Sequence, residues 1–315
     1  MKKALLVTIA LCLATCIDAL AQNKSYFISP DGDDNNSGLS IANPWKSIEK
    51  VNQHEFQPGD VIHFETGGTY HGQLQPRGSG VTGNPITLQS YGRGDMPVID
   101  MDDAEGSAIR LVNQSWWEIR DLEVTSGAQP TLGIGRQGIA VIASGNGNQI
   151  EHIVIENTYI HDIWGQLDGE TMYTGYNSAA IYVGRAFNDP NRHNSNLADD
   201  VLIRNNRIER IDKAGIIVFK GREDVIVRGN KLENLGGDGI FVNGSNMGLI
   251  EHNVVRRSCL RSGDPDLEGS EDFWPHTAGI WIQDTYRTVM QHNEVYDTGR
   301  QPGNGDGFAY DFDFG

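Results

Sequence analysis

The sequence predicts an all-β parallel solenoid, and three observations carry that reading. A G-I-x-V pattern recurs at Gly138-Ile139-Ala140-Val141, Ala180-Ile181-Tyr182-Val183, Gly215-Ile216-Ile217-Val218, Gly239-Ile240-Phe241-Val242, Gly279-Ile280-Trp281-Ile282 and Gly307-Phe308-Ala309-Tyr310. A second pattern interleaves with it, placing Asn157, Asn206, Asn230, Asn253 and Asn293 between apolar residues. The undecorated interval is 24 residues, from Gly215 to Gly239 and from Asn206 to Asn230. A period of that length, with short β-branched runs and no helix signal, is one turn of a stacked coil. Like positions in successive coils then form columns about 4.8 Å apart.

Taken in chain order, Lys2 and Lys3, the apolar run from Ala4 to Ala14, and Ala19-Leu20-Ala21 before Gln22 read as a secretory signal peptide over residues 1–21. Leu13-Ala14-Thr15-Cys16 is a lipoprotein-box alternative with an unfavourable Thr. The expected location is therefore secreted or periplasmic, with a lipid-anchored cell surface as the minor reading. Residues 22–315 are expected to form one domain. Cys259 is the single cysteine after the signal peptide, so no intrachain disulfide is available there. A formal charge of −17 disfavours nucleic acid and anionic membranes as partners, and no later apolar run approaches a membrane span.

Tyr26 to Gly32 reads as a short strand and turn, and Pro44 to Val51 as a short amphipathic helix with Trp45, Ile48 and Val51 on one face. Such a helix covers the open end of a solenoid, whose strand edges would otherwise pair with other chains. Pro58-Gly59-Asp60, Gly67-Gly68-Thr69-Tyr70 and Pro85-Ile86-Thr87-Leu88 open the first coils, and Pro97-Val98-Ile99-Asp100 continues them. This series resembles the start of secreted right-handed parallel β-helix proteins of the pectate-lyase superfamily. The resemblance covers almost the whole mature chain and implies the fold. Its implication for activity is broader, since this architecture hosts lyases, hydrolases, epimerases and adhesive proteins.

Longer intervals mark insertions at 164–178, 185–199, 260–277 and 299–305. Because they flank the G-I-x-V strands on both sides, a walled groove is expected along one outer face. Period-two alternation sends the Ile and Val of the motif inward, and the outward column then reads Ala140, Tyr182, Ile217, Phe241, Trp281, Ala309. Tyr182, Phe241 and Trp281 are expected to be exposed rings that stack on sugars, with insertion loops packing on them as the alternative. The asparagines are expected to form an internal ladder at a bend. Asp238, between Gly237 and Gly239, reads as a routine turn residue, and the acids from Asp264 to Asp272 as a solvated groove wall.

The resemblance implies β-elimination from a uronate-containing, acidic polysaccharide. In that scheme Lys220 is the base and Arg222 or Arg185 clamps the substrate carboxylate. Asp284, Asp311 and Asp313, with Asp306 beside them, hold Ca2+ to neutralise the dianionic intermediate. His276 at the edge of the same coil is expected to assist either this scheme or a hydrolytic one, with an ordinary loop histidine as the alternative. Two alternatives stay open: a metal-independent glycoside hydrolase pairing Asp284 with Asp306 or Asp311, and a non-catalytic carbohydrate-binding surface protein. The chain reaches Gly315 in mid-coil. The expectation is a shortened solenoid or an end-to-end contact covering the last coil.

Overall fold

The computed structural model describes residues 23–127, 135–165, 178–185, 197–260, 277–299 and 307–313. The expected signal peptide over residues 1–21 and most of each expected insertion, together with His276 and Asp306, lie outside them. The described strands form three parallel sheets of nine, eight and seven strands. From Ile86 on, each coil contributes one strand to each sheet in turn, as with Val225–Arg228, Lys231–Leu235 and Ile240–Asn243, whereas the earlier coils supply strands only to the first two sheets. Every pairing between these strands is parallel, as the right-handed β-helix requires.

The interior is a single apolar column. Ile155, Ile203, Val227 and Ile250 from the first sheet meet Ile160, Ile208, Leu232 and Val255 from the second, and Ile181, Ile216, Ile240 and Ile280 from the third. The glycine of the repeated motif has a packing cause. At Gly138, Gly215, Gly239 and Gly279 an added Cβ would press into Ile160, Leu232, Val255 and Val295 of the second sheet, at 2.5 Å for Gly239. The third sheet therefore starts against the back of the second, where at these four positions only a hydrogen fits, while the coil at Ala180 accommodates a methyl group.

Corners are turned by stacked left-handed residues: Asn157, Asn205, Gly229, His252 and His292 between the first and second sheets, at φ 54° to 67°. One residue later runs the asparagine ladder. Asn206 donates from N and Nδ2 to Asn230 Oδ1, Asn230 does the same to Asn253, and Asn253 to Asn293, all within 2.9–3.1 Å. Each Nδ2 also reaches a backbone carbonyl of an earlier strand. Asn157 is not in this ladder. It takes the left-handed position, and Thr158 occupies its rung, bonding Asn206 Oδ1 through N and Oγ1.

The N-terminal helix is Ile48–Gln53, later than the sequence placed it. Ser47 caps it by accepting from Lys50 N, and Trp45 instead bridges to Ile28, so the chain is still extended at Trp45. Ile48, Val51 and Trp45 are buried as expected. Asp60 ties this end together, accepting from Lys24 N and Gln57 N at 2.9 Å.

Candidate functional site

The third sheet presents its outer face in three adjacent columns. Register places Arg110, Ala140, Tyr182, Ile217, Phe241, Trp281 and Asp311 in one, and Gly184, Phe219, Asn243, Gln283 and Asp313 in the next. Lys220, Gly244 and Asp284 follow at the corner, linked by Gly221 N to Asn243 O, Gly244 N to Gln283 O and Asp284 N to Asp313 O at 2.9–3.0 Å. Lys220 and Asp284 adopt φ 65° and 51° there.

The last strand enters two residues later than the sequence frame. Trp281 pairs with Asp311 rather than Ala309, and Gln283 with Asp313. The cause is Gly307, which at φ 102° turns the chain and donates to Thr277 O, leaving Ala309 to take the inward packing place behind Gly279. Two carboxylates, Asp311 and Asp313, consequently share the outer face beyond the aromatic rows, while Tyr310 and Phe312 alternate inward.

The expected exposed platform is corrected. Tyr182, Phe241 and Trp281 are 1%, 1% and 2% exposed. They do face outward, and with Ala140, Ile142, Ala179, Ala214, Ile217, Phe219 and Ala278 they form a second apolar cluster separate from the interior. Rings in one column fuse into a continuous apolar surface that water disfavours. Phe241 and Trp281 stack at 4.3 Å and 22°. Burial pushes the Tyr182 hydroxyl well above its ordinary pKa, and it donates to Arg185 O. Trp281 Nε1 and Asn243 Oδ1 are buried without a hydrogen-bond partner among the described residues.

The predicted cations do not converge on a substrate clamp. Arg185 is buried, with Nη1 donating to Gly145 O at 3.0 Å, so its guanidinium is turned to a backbone acceptor within the fold. Arg222 is exposed and paired with Asp199 across the corner. Lys220 is half-buried, its Nζ 5.5 Å from the Phe219 ring centroid. Asp284 is exposed and accepts from Asn243 Nδ2 at 3.2 Å, and Asp311 Oδ1 accepts from Phe312 N at 2.8 Å. A calcium shell needs several oxygens converging on one point. Among the described residues Asp284, Asp311 and Asp313 do not form a group of three whose ligand atoms lie within 4.8 Å of one another.

One buried polar group escaped the sequence reading. Asp212, Lys213, Asp238 and Cys259 are all under 5% exposed at the start of the third-sheet strands. Asp238 accepts from Ala278 N at 2.8 Å, and Asp212 from Gly165 N at 3.0 Å. Burial lowers the Lys213 pKa against the pull of Asp238, and burial raises the Cys259 thiol to about 12. Asp238 is thus more than a turn residue: it holds the first amide of the strand that carries Trp281. The available signal was its position, where Ala214 and Ala278 stand in neighbouring coils.

Residues 26–196 match the family described as Pel9A-like, right handed beta helix region. The lacto-N-biosidase of Bifidobacterium longum subsp. longum is 26% identical to this chain, an alignment covering 92% of this chain and 23% of the relative. Pectate lyase PEL9 of Emericella nidulans is 27% identical over 55% of this chain and 42% of the relative. The crystal structure of a GH136 lacto-N-biosidase from Eubacterium ramulus superposes with a TM-score of 0.77 at 22% identity, covering 92% of this chain and 54% of that chain. The chain therefore spans less than two thirds of the length of each of these relatives.

Proposed function

The chain belongs to the Pel9A-like right-handed β-helix family, and from that premise we propose that it acts on a glycan by hydrolysing a glycosidic bond at the outer face of the third sheet. The observation that carries this reading is the register Trp281 to Asp311 and Gln283 to Asp313. It gives two outward carboxylates on one strand, with Cα atoms about 6.6 Å apart, beside the stacked rings. Glycoside hydrolysis needs one carboxyl group to protonate the leaving oxygen and a second, ionised, to activate water or attack the sugar. Among Asp284, Asp306, Asp311 and Asp313, two serve as this pair, Asp306 by its place in the sequence alone. The similarity to the Bifidobacterium lacto-N-biosidase over 92% of this chain supports a hydrolase.

The uronate lyase is the second reading, favoured by Lys220 and Asp284 standing in one corner column and by the similarity to pectate lyase PEL9. It has less support here, since Arg222 and Arg185 are engaged elsewhere. In the lyase reading Ca2+ is supplied from solution to the Asp group, and no step of the hydrolase requires it. The signal-peptide pattern read in the sequence over residues 1–21 supports action outside the cytoplasm. The test incubates the protein with an aryl glycoside of lacto-N-biose, with pectate and with alginate, each with and without chelator. Reducing ends without new ultraviolet absorbance, unaffected by chelation, are expected. Unsaturated product abolished by chelation would replace this reading with the lyase, and no product in any arm would leave a binding protein. Single Asp→Asn changes should abolish hydrolysis at two of the four positions and spare most of it at the others.

A further inference from the structure

We propose that His71, Asp100 and Asp102 bind one first-row divalent transition cation, with zinc as the probe, on the outer face of the second sheet. The strands Thr69–His71 and Val98–Asp100 pair in parallel with His71 opposite Asp100, so an imidazole and a carboxylate occupy adjacent rungs. After Asp100 the chain turns through Asp102, at φ 55°, whose N donates to Asp100 Oδ1 at 2.9 Å. The turn brings Asp102 back beside His71, with Asp102 Oδ1 2.9 Å from Nδ1. One donor atom from each of the three residues lies within 4.8 Å of the other two, and among the described residues this is the one such group of His, Cys, Asp and Glu.

The donor set selects the ion. Two carboxylates balance a dication, and the imidazole nitrogen favours zinc, nickel or copper over calcium and magnesium, which take oxygen. Three protein ligands leave room for water, and the exposure of the His71 and Asp102 side chains, 61% and 59%, permits it. In the next coil Asp100 is paired with Thr125, and Gly127 lies against its carboxylate, where a Cβ would come within 2.6 and 2.7 Å of the two oxygens, so the backbone approaches without blocking Asp100, which stays half-buried. Thr69–His71 is the edge strand of its sheet, so the cation would fasten that edge to the next strand. The competing account is an ordinary His71–Asp102 ion pair that takes no metal.

Calorimetric titration of the whole chain with zinc after chelator treatment tests this. One equivalent should bind, the thermal unfolding midpoint should rise, and a tenfold excess of calcium should not displace the zinc. His71→Ala and Asp102→Asn should each weaken binding by about tenfold or more. Copper bound in place of zinc should show nitrogen coupling in its paramagnetic resonance spectrum, lost in His71→Ala. A double His252→Ala/His292→Ala change, removing the stacked imidazole pair at another corner, should leave zinc affinity unchanged. Far-UV circular dichroism establishes that each variant is folded, and Asp102→Asn, nearly isosteric, decides the matter if His71→Ala is not. Binding that survives His71→Ala or Asp102→Asn, displacement by calcium, loss in the His252/His292 variant, or no binding would overturn the site.

Discussion

The second and third sheets share a rung spacing and the same inward pattern of Ile, Leu and Val, yet their outer faces differ completely. On the second sheet Arg210 makes a two-pronged contact with Asp162 at 2.7 and 2.8 Å and reaches Glu209 at 2.5 Å. His161 lies between Glu123 and Asp162, and Arg207 stacks over Tyr159 at 4.6 Å. Along the columns like charges are neighbours, Arg207 beside Lys231 and Glu209 beside Glu233. Arg207 pairing with Glu209 along its own strand, and Arg256 stacked on Glu233 in the next rung of the same column and paired with it, offset that repulsion. On the third sheet the corresponding face is an apolar cluster under 8% exposed. Inward residues fix the cylinder, and each outward column is free to become solvated surface or a second core.

The largest break of this contrast is Trp281→Ala. A buried ring that stacks on Phe241 leaves a cavity when removed, and a loss of about 3–5 kcal/mol is expected, read from the urea midpoint. If the midpoint moves no further than for a charge substitution on the second sheet, the third sheet's outer face is not a packed cluster.

What was legible in the sequence follows the same division. Ile216, Ile240 and Ile280 announced the interior because burial on both sides of a rung tolerates little else, and Gly215, Gly239 and Gly279 marked where two sheets meet without room for a Cβ. The ladder of Asn206, Asn230, Asn253 and Asn293 was legible because a buried bend must satisfy its own amides. Asn157 misled because left-handed geometry and ladder bonding both favour asparagine, one position apart. Tyr182, Phe241 and Trp281 were placed on the correct face with the wrong exposure: alternation gives direction, whereas exposure depends on what chain lies above. Gly307 resembled the motif glycine but turns a corner instead, which shifted Asp311 and Asp313 by two residues.

A test of the shared corner comes next. Asn230→Ala removes the acceptor of Asn206 N and Nδ2 and the donor to Ile203 O, leaving buried groups unpaired between the first two sheets. Each orphan costs about 1–3 kcal/mol, so a loss of about 2–3 kcal/mol, smaller than at Trp281, is expected in the same titration.

Acid should separate the two faces further. Hydrogen bonds from Arg210 hold the Asp162 carboxyl below its usual range. Burial pulls Glu209 upward, but hydrogen bonds from Tyr159, Arg210 and Arg207 still leave it low. The unfolded chain takes up these protons first as pH falls, so the stabilisation is complete above about pH 4.5 and disappears as pH drops through the depressed folded values. After solvent screening its size is about 1 kcal/mol or less. Unfolding midpoints of the wild type and Arg210→Met should therefore converge between about pH 5 and 3, while the increment lost in Trp281→Ala stays constant with pH. An Arg210 effect independent of pH would mean that its methylene stem, not its charge, is what counts.

The smallest effect is expected at Arg256. Its Nη1 lies 3.3 Å from Glu233 and its Nε 3.7 Å from Asp297, with side chains 40% exposed or more. Its guanidinium is 5.8 Å from the Tyr296 ring centroid. In water-exposed pairs the Coulomb gain is nearly cancelled by the cost of fixing two long side chains, leaving about 0.2–1 kcal/mol. Arg256→Gln keeps the stem over Tyr296 and should shift the midpoint by about 0.5 kcal/mol or less, vanishing in 1 M salt. A loss comparable to Trp281→Ala, persisting in salt, would show that the second sheet's outer face is also held by burial, and the two faces would then differ only in composition.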